Sequence, residues 1–381
     1  MKKILILGGG FGGISAALEL SRGLQDEAEV TLVERSPVFM MGLRYLWVVT
    51  GRGTRRDGER PITALRAGGV NICAGTVQAI DAKGRTVRTD AGVLPFDYLI
   101  VALGAEPRPD LVSGFSEAAY NLYSADDADR LGRRIRDFRS GRIAISILGV
   151  PYKCPPAPYE AAMMLDDLFR RVNTRQNIAI QTFTPQAMSL PVVGAANCAQ
   201  VEGLLAAKGI GFTPNRKVAR VDGSTLVFED GVRVEADLLI GVPPHRPPAV
   251  VRESGLAMRG EWLEVEPQTL RTSIDGVFAV GDVNEIPLAN KLPLPKAGLF
   301  AESQGKVAAR AIIAEVQRAS ASDVFDGHGY CFIETGAGLA TMVQGNFFAS
   351  PAPALTVGPP SPQALQQKMD FEQSRLSLWF R

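Results

Sequence analysis

A glycine-rich turn near the N-terminus constrains the fold of this chain more than any other feature. The motif Gly8-x-Gly10-x-x-Gly13 stands between an apolar run typical of a strand, Lys3–Leu7, and an apolar helical face over Ile14–Leu20. Glycines at these positions let backbone N–H groups approach a pyrophosphate at the helix N-terminus. The pattern predicts a Rossmann-type α/β domain that binds a dinucleotide. The alternative is a turn that packs a helix on a sheet and binds nothing.

An acidic residue at the end of the next predicted strand reduces the number of dinucleotides that the site is expected to bind. Glu34 follows the apolar run Val30–Val33, about 20 residues after the glycines, where the dinucleotide fingerprint places a carboxylate. This carboxylate accepts hydrogen bonds from ribose hydroxyls and disfavours a 2′-phosphate. FAD and NAD share the arrangement, so a second signal must distinguish them.

Two later segments resemble the remaining FAD motifs of flavoproteins that have two dinucleotide-binding domains. Phe96–Gly104 is an apolar strand that ends in a glycine turn. Thr272–Asp282 resembles the C-terminal motif of these proteins, in which the aspartate holds the ribityl and pyrophosphate region. Three motifs in the expected order predict FAD. The predicted cofactor-binding residues are Gly8, Gly10, Phe11, Gly13, Glu34, Arg35, Ala102, Gly104, Gly281, Asp282, Lys296 and Ala297.

A second α/β unit is predicted between the FAD motifs. Flavoproteins of this architecture bind NAD(P)H there, and the glycine loop should follow the predicted strand Ile143–Leu148. The chain instead has Gly149–Glu160, which contains four prolines and no Gly-x-Gly-x-x-Gly. Proline lacks the backbone N–H that a pyrophosphate needs, so we expect no nicotinamide cofactor. The predicted domains are an FAD-binding domain (1–112 and 261–322), a degenerate NAD-type domain (113–260) and a small C-terminal region (323–381).

Length and composition agree with this organisation and exclude several classes of protein. The 381 residues suffice for two or three domains, at about 150 residues each. Lys and Arg number 41 against 40 Asp and Glu, so the net charge of +1 argues against nucleic-acid binding.

The apolar runs are far shorter than the roughly 20 residues that span a bilayer. Without a recognisable signal peptide, we expect a cytoplasmic location, with peripheral membrane contact left open. Two histidines exclude a His-rich metal site, and we expect no metal.

Two of the four cysteines lie in settings that suit redox chemistry. Cys154 lies in the proline-rich loop and Cys331 in a glycine-bounded segment, and we predict a loop around each of them. Lys153 or His328, which lie close to them in sequence, could lower the pKa of a thiol and so favour the reactive thiolate. The alternative is an inert buried cysteine. That is the interpretation for the remaining two, Cys73 and Cys198.

Several segments together are similar to one family of flavoproteins. The run Lys153–Glu160, the segment Asp326–Gly336 and the sequence Leu294–Gly298 resemble the sulfide:quinone oxidoreductase and flavocytochrome c sulfide dehydrogenase family. The likeness extends from Gly8 to about Phe348, and its most specific element is the Cys-Pro-Pro loop. The resemblance implies two dinucleotide-type domains with bound FAD.

The resemblance also implies a set of catalytic residues. It implies that Cys154 and Cys331 form a redox disulfide, or a polysulfide bridge, over the flavin. Lys296 would lie near the pyrimidine end of the flavin, where a cation stabilises the anionic reduced ring, and Glu160 is a candidate proton carrier. Many quinone-reducing members have a third cysteine where this chain has Ser124, so the chain resembles the two-cysteine branch.

The C-terminal region is predicted to end in the helix Gln363–Phe380. The helix could be an interfacial anchor, part of a quinone mouth, or a helix packed on the domain or at a homodimer interface. Phe332, Phe347 and Phe348 are the other residues expected at such a mouth. Glu334 is a second candidate proton carrier.

The sequence therefore predicts FAD-dependent oxidation of sulfide, or of a small thiol, through a Cys154–Cys331 disulfide, with two electrons passing to a quinone. A cytochrome c subunit is the less favoured acceptor, because such partners accompany exported proteins. A type II NADH:quinone reductase would need the missing glycine loop. An FAD-stabilised binding protein without turnover is the alternative from another class.

Overall fold

Two five-stranded parallel sheets organise the chain, which a computed structural model describes over residues 1–320 and 323–381. Each sheet carries helices packed against it. The arrangement confirms the predicted α/β fold with two Rossmann-like units. The predicted boundary at residue 322 lies outside the described residues, and the boundaries at 112 and 260 remain predictions.

The first unit opens with the predicted strand, glycine turn and helix. Its first strand is buried over Ile4–Leu7 and is paired on both edges, which explains the continuous rather than alternating apolar run. The elements are β1 (Lys2–Leu7), α1 (Phe11–Leu24), β2 (Ala28–Glu34), β3 (Val38–Phe39), α2 (Arg44–Val49), α3 (Arg55–Gly58), β4 (Arg60–Pro61), β5 (Asn71–Ala74), β6 (Val77–Asp81), β7 (Thr86–Thr89), β8 (Gly92–Pro95), β9 (Tyr98–Val101) and β10 (Glu106–Pro107).

The second unit repeats the pattern with the proline-rich loop at its centre. Its elements are α4 (Phe115–Ala118), β11 (Tyr120–Asn121), α5 (Ala125–Arg136), β12 (Gly141–Ile147), α6 (Ala157–Arg171), β13 (Ile178–Phe183), α7 (Ala195–Ala207), β14 (Ile210–Thr213), β15 (Val218–Asp222), β16 (Thr225–Phe228), β17 (Arg233–Glu235), β18 (Leu238–Val242), β19 (His245–Arg246), α8 (Ala249–Arg252) and β20 (Met258–Arg259). The turn sequence Glu229-Asp230-Gly231 predicts a hairpin, and this prediction is confirmed because β16 and β17 pair antiparallel across it.

The chain then returns to the first unit and ends in a small antiparallel sheet and a helix. The remaining elements are β21 (Trp262–Glu264), β22 (Val277–Ala279), β23 (Asn284–Glu285), α9 (Gly298–Val316), β24 (His328–Gly336), β25 (Leu339–Asn346), β26 (Ala354–Val357) and α10 (Pro362–Trp379). Short 3₁₀ turns complete the set at Gln25–Glu27, Ile62–Gly68, Pro109–Leu111, Arg175–Asn177, Pro191–Val193 and Gly281–Val283.

The order of strands explains how distant segments come together. The first sheet has the order β22-β9-β1-β2-β5, and the second has the order β11-β18-β12-β13-β14. Strand β22 pairs in parallel with β9, so the segment that follows it ends at the same sheet edge as the glycine turn. Ligands of open parallel sheets bind at this carboxyl edge. The short segments Val77–Asp81, Thr86–Thr89 and Val93–Phe96 predict a meander of strands, which is confirmed as the antiparallel sheet β6-β7-β8.

Cys331 lies in strand β24, so the prediction of a loop at this residue is wrong. The strand pairs antiparallel with β25, and Cys331 stands opposite Val343. The glycines around the segment suggested a loop. The pairing partner lies further along the chain, and local sequence does not reveal it.

Helix α10 packs on the domain, which supports that alternative for the C-terminal helix. Leu376 and Trp379 are buried, and the Trp379 ring lies edge-on at 5.5 Å from Phe11 and at 5.6 Å from Phe39 (centroid to centroid). An apolar face that is already covered is not available to lipid. Among the described residues, no helix is both long enough and apolar enough to cross a bilayer.

Helices α1 and α9 touch through their backbones. A Cβ added at Gly305 of α9 would lie 2.2 Å from the carbonyl oxygen of Gly12 in α1. Only glycine permits this approach. The contact therefore fixes α1, whose first turn carries the glycine motif, against α9.

Replacing Gly305 by alanine should destabilise the protein. Because the clash is with backbone, the helices must separate, and we expect the free energy of unfolding to fall by about 1–3 kcal/mol. Gly203→Ala on α7 is the matched control, since its Cβ would meet no atom within 4 Å. The Gly203→Ala change should raise the free energy of unfolding by about 0.5–1 kcal/mol. Urea denaturation measures both, and a Gly305→Ala protein as stable as the wild type would contradict the assignment.

Candidate active site

One cavity of about 580 Å³ collects most of the predicted site residues. This volume lies within the range of about 300–1,000 Å³ typical of ligand sites. The walls come from the carboxyl edge of the first sheet and from α2, α6, β24 and α10. The predicted residues that line it are Gly8, Gly10, Phe11, Glu34, Arg35, Ala102, Gly104, Cys154, Glu160, Gly281, Asp282, Ala297 and Cys331.

The glycine turn forms an open cradle at the start of α1. Gly8 has a φ of +102°, and a Cβ there would lie 2.4 Å from the Ala102 carbonyl oxygen. Gly13 has a packing role instead, because its Cβ would lie 1.8 Å from the Gly8 oxygen. At Gly10 a Cβ would meet no described atom within 4 Å, and no described side chain caps the helix. The first turn therefore offers free N–H groups to an anion.

Glu34 is held at the edge of the cradle by two backbone donors. Its Oε2 accepts from the Gly9 N–H at 2.5 Å, and its Oε1 accepts from the Ser36 N–H at 2.7 Å. The carboxylate keeps further lone pairs for ligand hydroxyls. Arg35 is mostly exposed and is paired with Glu106 at 2.9 Å.

Asp282 supplies an unpaired buried oxygen on the opposite wall. Its Oδ1 is buried and has no hydrogen-bond partner among the described residues. Burial raises the pKa of this carboxyl group. A buried acceptor without a partner is costly, and the hydroxyls of a ribityl chain would satisfy it. Together with the cradle and Glu34, this oxygen makes the cavity a fit for FAD.

Lys296 is predicted to lie beside the flavin, but it is not among the residues that line the cavity. Its Nζ donates to the carbonyl oxygens of Asp282 at 2.8 Å and Asn284 at 3.2 Å, and lies 3.3 Å from the centroid of the Trp262 ring. Burial lowers the pKa of this lysine to about 8. The ammonium group thus ties down the segment behind Asp282. Its predicted role beside the flavin ring stays a prediction, and the structure offers a backbone-holding role.

Cys154 and Cys331 meet in the cavity wall. Both line the cavity, and all four cysteines of the described chain are free thiols. A hydrogen bond between the two sulfur groups, together with burial, raises the pKa of Cys154 well above its usual range. The same hydrogen bond lowers the pKa of Cys331. The two thiols therefore interact and ionise as a coupled pair.

The loop that carries Cys154 is fixed by backbone and tyrosine contacts. The Cys154 N–H donates to the Lys296 carbonyl oxygen at 2.8 Å. The Tyr123 hydroxyl donates to the carbonyl oxygens of Lys153 at 2.5 Å and of Cys154 at 3.2 Å. The first N–H of α6, on Ala157, donates to the Cys154 carbonyl oxygen at 2.9 Å. Donors that would bind a pyrophosphate in a glycine loop are here used internally or replaced by proline.

His328 does not act on Cys331 in this structure. It lies in an exposed position, and its Nδ1 is 3.0 Å from the Asp326 carboxylate. Lys153, the other predicted neighbour, does line the cavity. Cys73 and Cys198 lie outside the residues that line the cavity, and the Cys198 thiol donates to the Leu190 carbonyl oxygen at 3.1 Å.

A buried charge cluster beside the thiols is only partly visible in the sequence. Lys368 of α10 donates to Glu160 of α6 and, at 3.0 Å, to Glu334 of β24. Glu334 also binds Arg52 and Trp47. Sequence analysis singled out both glutamates but missed the lysine, because nothing local distinguishes it from a solvated helix residue.

Aromatic residues cover another part of the cavity. Phe11 stacks on Phe371 at 6.1 Å between centroids, and Phe332 lines the wall as predicted. The prediction for Phe347 and Phe348 is wrong, because they pack on Phe300 and Phe325 respectively. Sequence analysis also missed the contribution of the insertion before and within α2, which adds Met40, Met41, Gly42, Leu43, Tyr45 and Leu46.

Comparisons with known proteins agree with this geometry. A sulfide:quinone oxidoreductase of Dictyostelium discoideum is 26% identical over 349 residues, 87% of this chain and 75% of that protein. A type II NADH:quinone oxidoreductase of Staphylococcus saprophyticus is 23% identical over 326 residues, 81% of each protein. The crystal structure of the Aquifex aeolicus sulfide:quinone oxidoreductase matches with a TM-score of 0.89 at 21% identity, over 100% of this chain and 92% of that chain, and so shares the fold.

A family model also matches most of the chain. The sequence model described as pyridine nucleotide-disulphide oxidoreductase matches residues 2–305. This range includes the glycine cradle, Asp282 and the loop of Cys154. Because the match covers well over half of the chain, the protein belongs to the pyridine nucleotide-disulphide oxidoreductase family and is an FAD-dependent oxidoreductase.

Proposed function

We propose that this protein is a sulfide:quinone oxidoreductase that uses Cys154 and Cys331 as a redox pair. The observation that carries the proposal is the meeting of two free thiols in the wall of a cavity that fits FAD. A thiol pair beside a flavin is suited to exchange electrons with a sulfur substrate. The relatives named above support the same reading.

The loop of Cys154 favours this function over NADH oxidation. Relatives that are type II NADH:quinone oxidoreductases also match the chain. The segment between β12 and α6, however, has prolines at 151, 155, 156 and 158, and the Cys154 and Ala157 N–H groups are already bound within the protein. A second pyrophosphate lacks donors there.

The proposed chemistry begins with the disulfide form of the pair. Hydrosulfide attacks one sulfur, so that a new S–S bond forms, the Cys154–Cys331 bond breaks, and a persulfide and a thiolate result. FAD, when bound, supplies the two-electron acceptor. Overall, HS⁻ gives up two electrons and one proton as its sulfur leaves at oxidation state zero. Reduction of a quinone takes up two electrons and two protons, so one proton comes from solvent.

A quinone is the proposed acceptor. Tyr330, Phe332 and Phe371 form an aromatic part of the cavity wall, which suits a flat apolar ring. Lys368 and Glu160 lie in the same wall, where they bind each other. Because such quinones dissolve in membranes, we propose that the protein works in peripheral contact with a membrane surface.

Replacing either redox cysteine should abolish reduction of the flavin by sulfide. With Cys154→Ser or Cys331→Ser no disulfide can form, so sulfide has no sulfur to attack, while the FAD contacts remain. We expect a normal oxidised flavin spectrum and at least a roughly 100-fold slower anaerobic bleaching by sulfide, consistent with the loss of a covalent catalytic step. Stopped-flow absorbance measures the rate.

Cys73→Ser is the matched control for this experiment. Cys73 is a half-buried thiol that does not line the cavity, so its replacement should leave bleaching by sulfide unchanged. If the Cys154 and Cys331 variants bleach at the wild-type rate, the redox pair is wrong. If all three variants slow equally, the effect comes from altered folding.

Sulfide and NADH should act differently on the purified protein. Under anaerobic conditions we expect NADH to leave the flavin band unchanged, because the proline-rich loop has no pyrophosphate site, and sulfide to bleach it. The visible spectrum is recorded after each addition in turn. Bleaching by NADH would favour a type II NADH:quinone reductase, and bleaching by neither would favour an FAD-binding protein without this turnover.

A further inference from the structure

Lys368 connects three elements at the thiol side of the cavity. It projects from α10, binds Glu160 of α6, and binds Glu334 of β24 at 3.0 Å. All three side chains are nearly inaccessible to solvent, with exposures of 3%, 4% and 2% respectively. Lys368 and Glu160 line the same cavity as Cys154 and Cys331.

The two glutamates of the cluster are not equivalent. Burial acts to raise the pKa of Glu334, but Lys368 and Arg52 together lower it, and Trp47 donates to it as well. Glu160 has Lys368 as its only cationic partner in the described residues, and burial raises its pKa. Glu334 therefore anchors the lysine, while Glu160 is the carboxyl group poised to change its protonation.

The cluster acts on both thiols through its charges. Glu160 raises the pKa of Cys154 and of Cys331, and Lys368 lowers both. Tyr123 also faces the pair, and burial keeps its hydroxyl protonated by raising its pKa. Lys153 and Asp282 are the other charged residues in this part of the wall.

Stability alone gives little reason for such a cluster. Desolvation of buried ion pairs commonly offsets their attraction, so apolar side chains of similar volume would serve as well. A cation held between two carboxylates beside a thiol pair does have a chemical consequence, because it determines whether a thiolate can form there.

We propose that Lys368 is a positioning residue for the cysteine pair, which binds Glu160 and Glu334 at once, offsets their charge beside the thiols, and thereby favours a thiolate in the pair. Formation of this thiolate releases one proton and leaves the other cysteine as a protonated thiol. This inference rests on the proposed redox role of the pair. It adds a requirement for the C-terminal helix, which must be docked for the thiolate to form.

The test measures ionisation of the thiol pair directly. FAD-loaded protein with reduced thiols is pulsed with iodoacetamide over a range of pH, and labelling of the Cys154 and Cys331 peptides is quantified by mass spectrometry. In Lys368→Met, Glu160 remains without a cation among the described residues and Glu334 keeps only Arg52, so the midpoint of labelling should move up by about one pH unit or more. Lys368→Arg should keep the midpoint near that of the wild type.

Two further variants keep the test decisive if Lys368→Met folds poorly. Glu160→Gln retains the lysine and removes the nearer negative charge, so the midpoint should move down. The double variant Glu160→Gln/Lys368→Met is neutral at both positions and should return towards the wild type. These opposite directions are not expected from loss of structure, which would move all variants alike.

Arg375→Met is the matched control on the same helix. Arg375 binds Glu302 at 2.7 Å, and the residues that line the cavity do not include it. Its midpoint should be that of the wild type. The proposal is overturned if Lys368→Met leaves the midpoint unchanged, if Arg375→Met moves it equally, or if Glu160→Gln moves it upward. Alkylation needs no sulfide turnover, so a negative alkylation result leaves the proposed function standing. Bleaching at the wild-type rate in the Cys154 and Cys331 variants would instead remove the redox pair itself.

Discussion

The packing of helix α6 against strand β24 is the contact on which the candidate site depends. The helix follows directly after Cys154, and the strand carries Cys331. At the far end of the contact, the Ala337 N–H donates to Asp167 of α6 at 2.8 Å. Closer to the cavity, Lys368 binds one glutamate from each element. Without this contact the two thiols would be unrelated residues of two different units.

The first unit contributes the cradle that fits FAD, the second contributes Cys154, and the C-terminal sheet contributes Cys331. The cradle at Gly10 and the unpaired oxygen of Asp282 are shaped for a large anionic ligand. The second unit keeps the parallel sheet of a dinucleotide-binding domain, but a proline-rich loop replaces its phosphate donors. That loop positions a thiol over the first unit's cavity. The second unit therefore keeps the fold of a dinucleotide-binding domain without its phosphate donors, since one fold can serve different functions.

Burial explains why the charged residues around the thiols matter. In a region of low dielectric, a charge is costly unless it is paired, and each pair strongly affects its neighbours. Lys368 is surrounded by Glu160 and Glu334, and Lys296 is held by backbone carbonyl oxygens. The two lysines therefore have different roles. One faces the thiols, and the other fastens the segment behind Asp282.

The sequence by itself determined the fold class and the FAD motifs, and it predicted Cys154 and Cys331 as a candidate redox pair. Local sequence is enough for these features, because a glycine turn between a strand and a helix has few alternatives and each proline removes a backbone N–H donor. Only the tertiary structure decided that Cys331 lies in a strand, that Lys296 points away from the cavity, and that Lys368 faces Glu160. The contact between Lys368 and Glu160 joins residues 208 positions apart, and no local pattern encodes which distant residue a buried charge will meet. The partners of Cys331 and Lys296 are nearer in the chain, but the packing of the surrounding fold decides the backbone conformation of the one and the direction of the other.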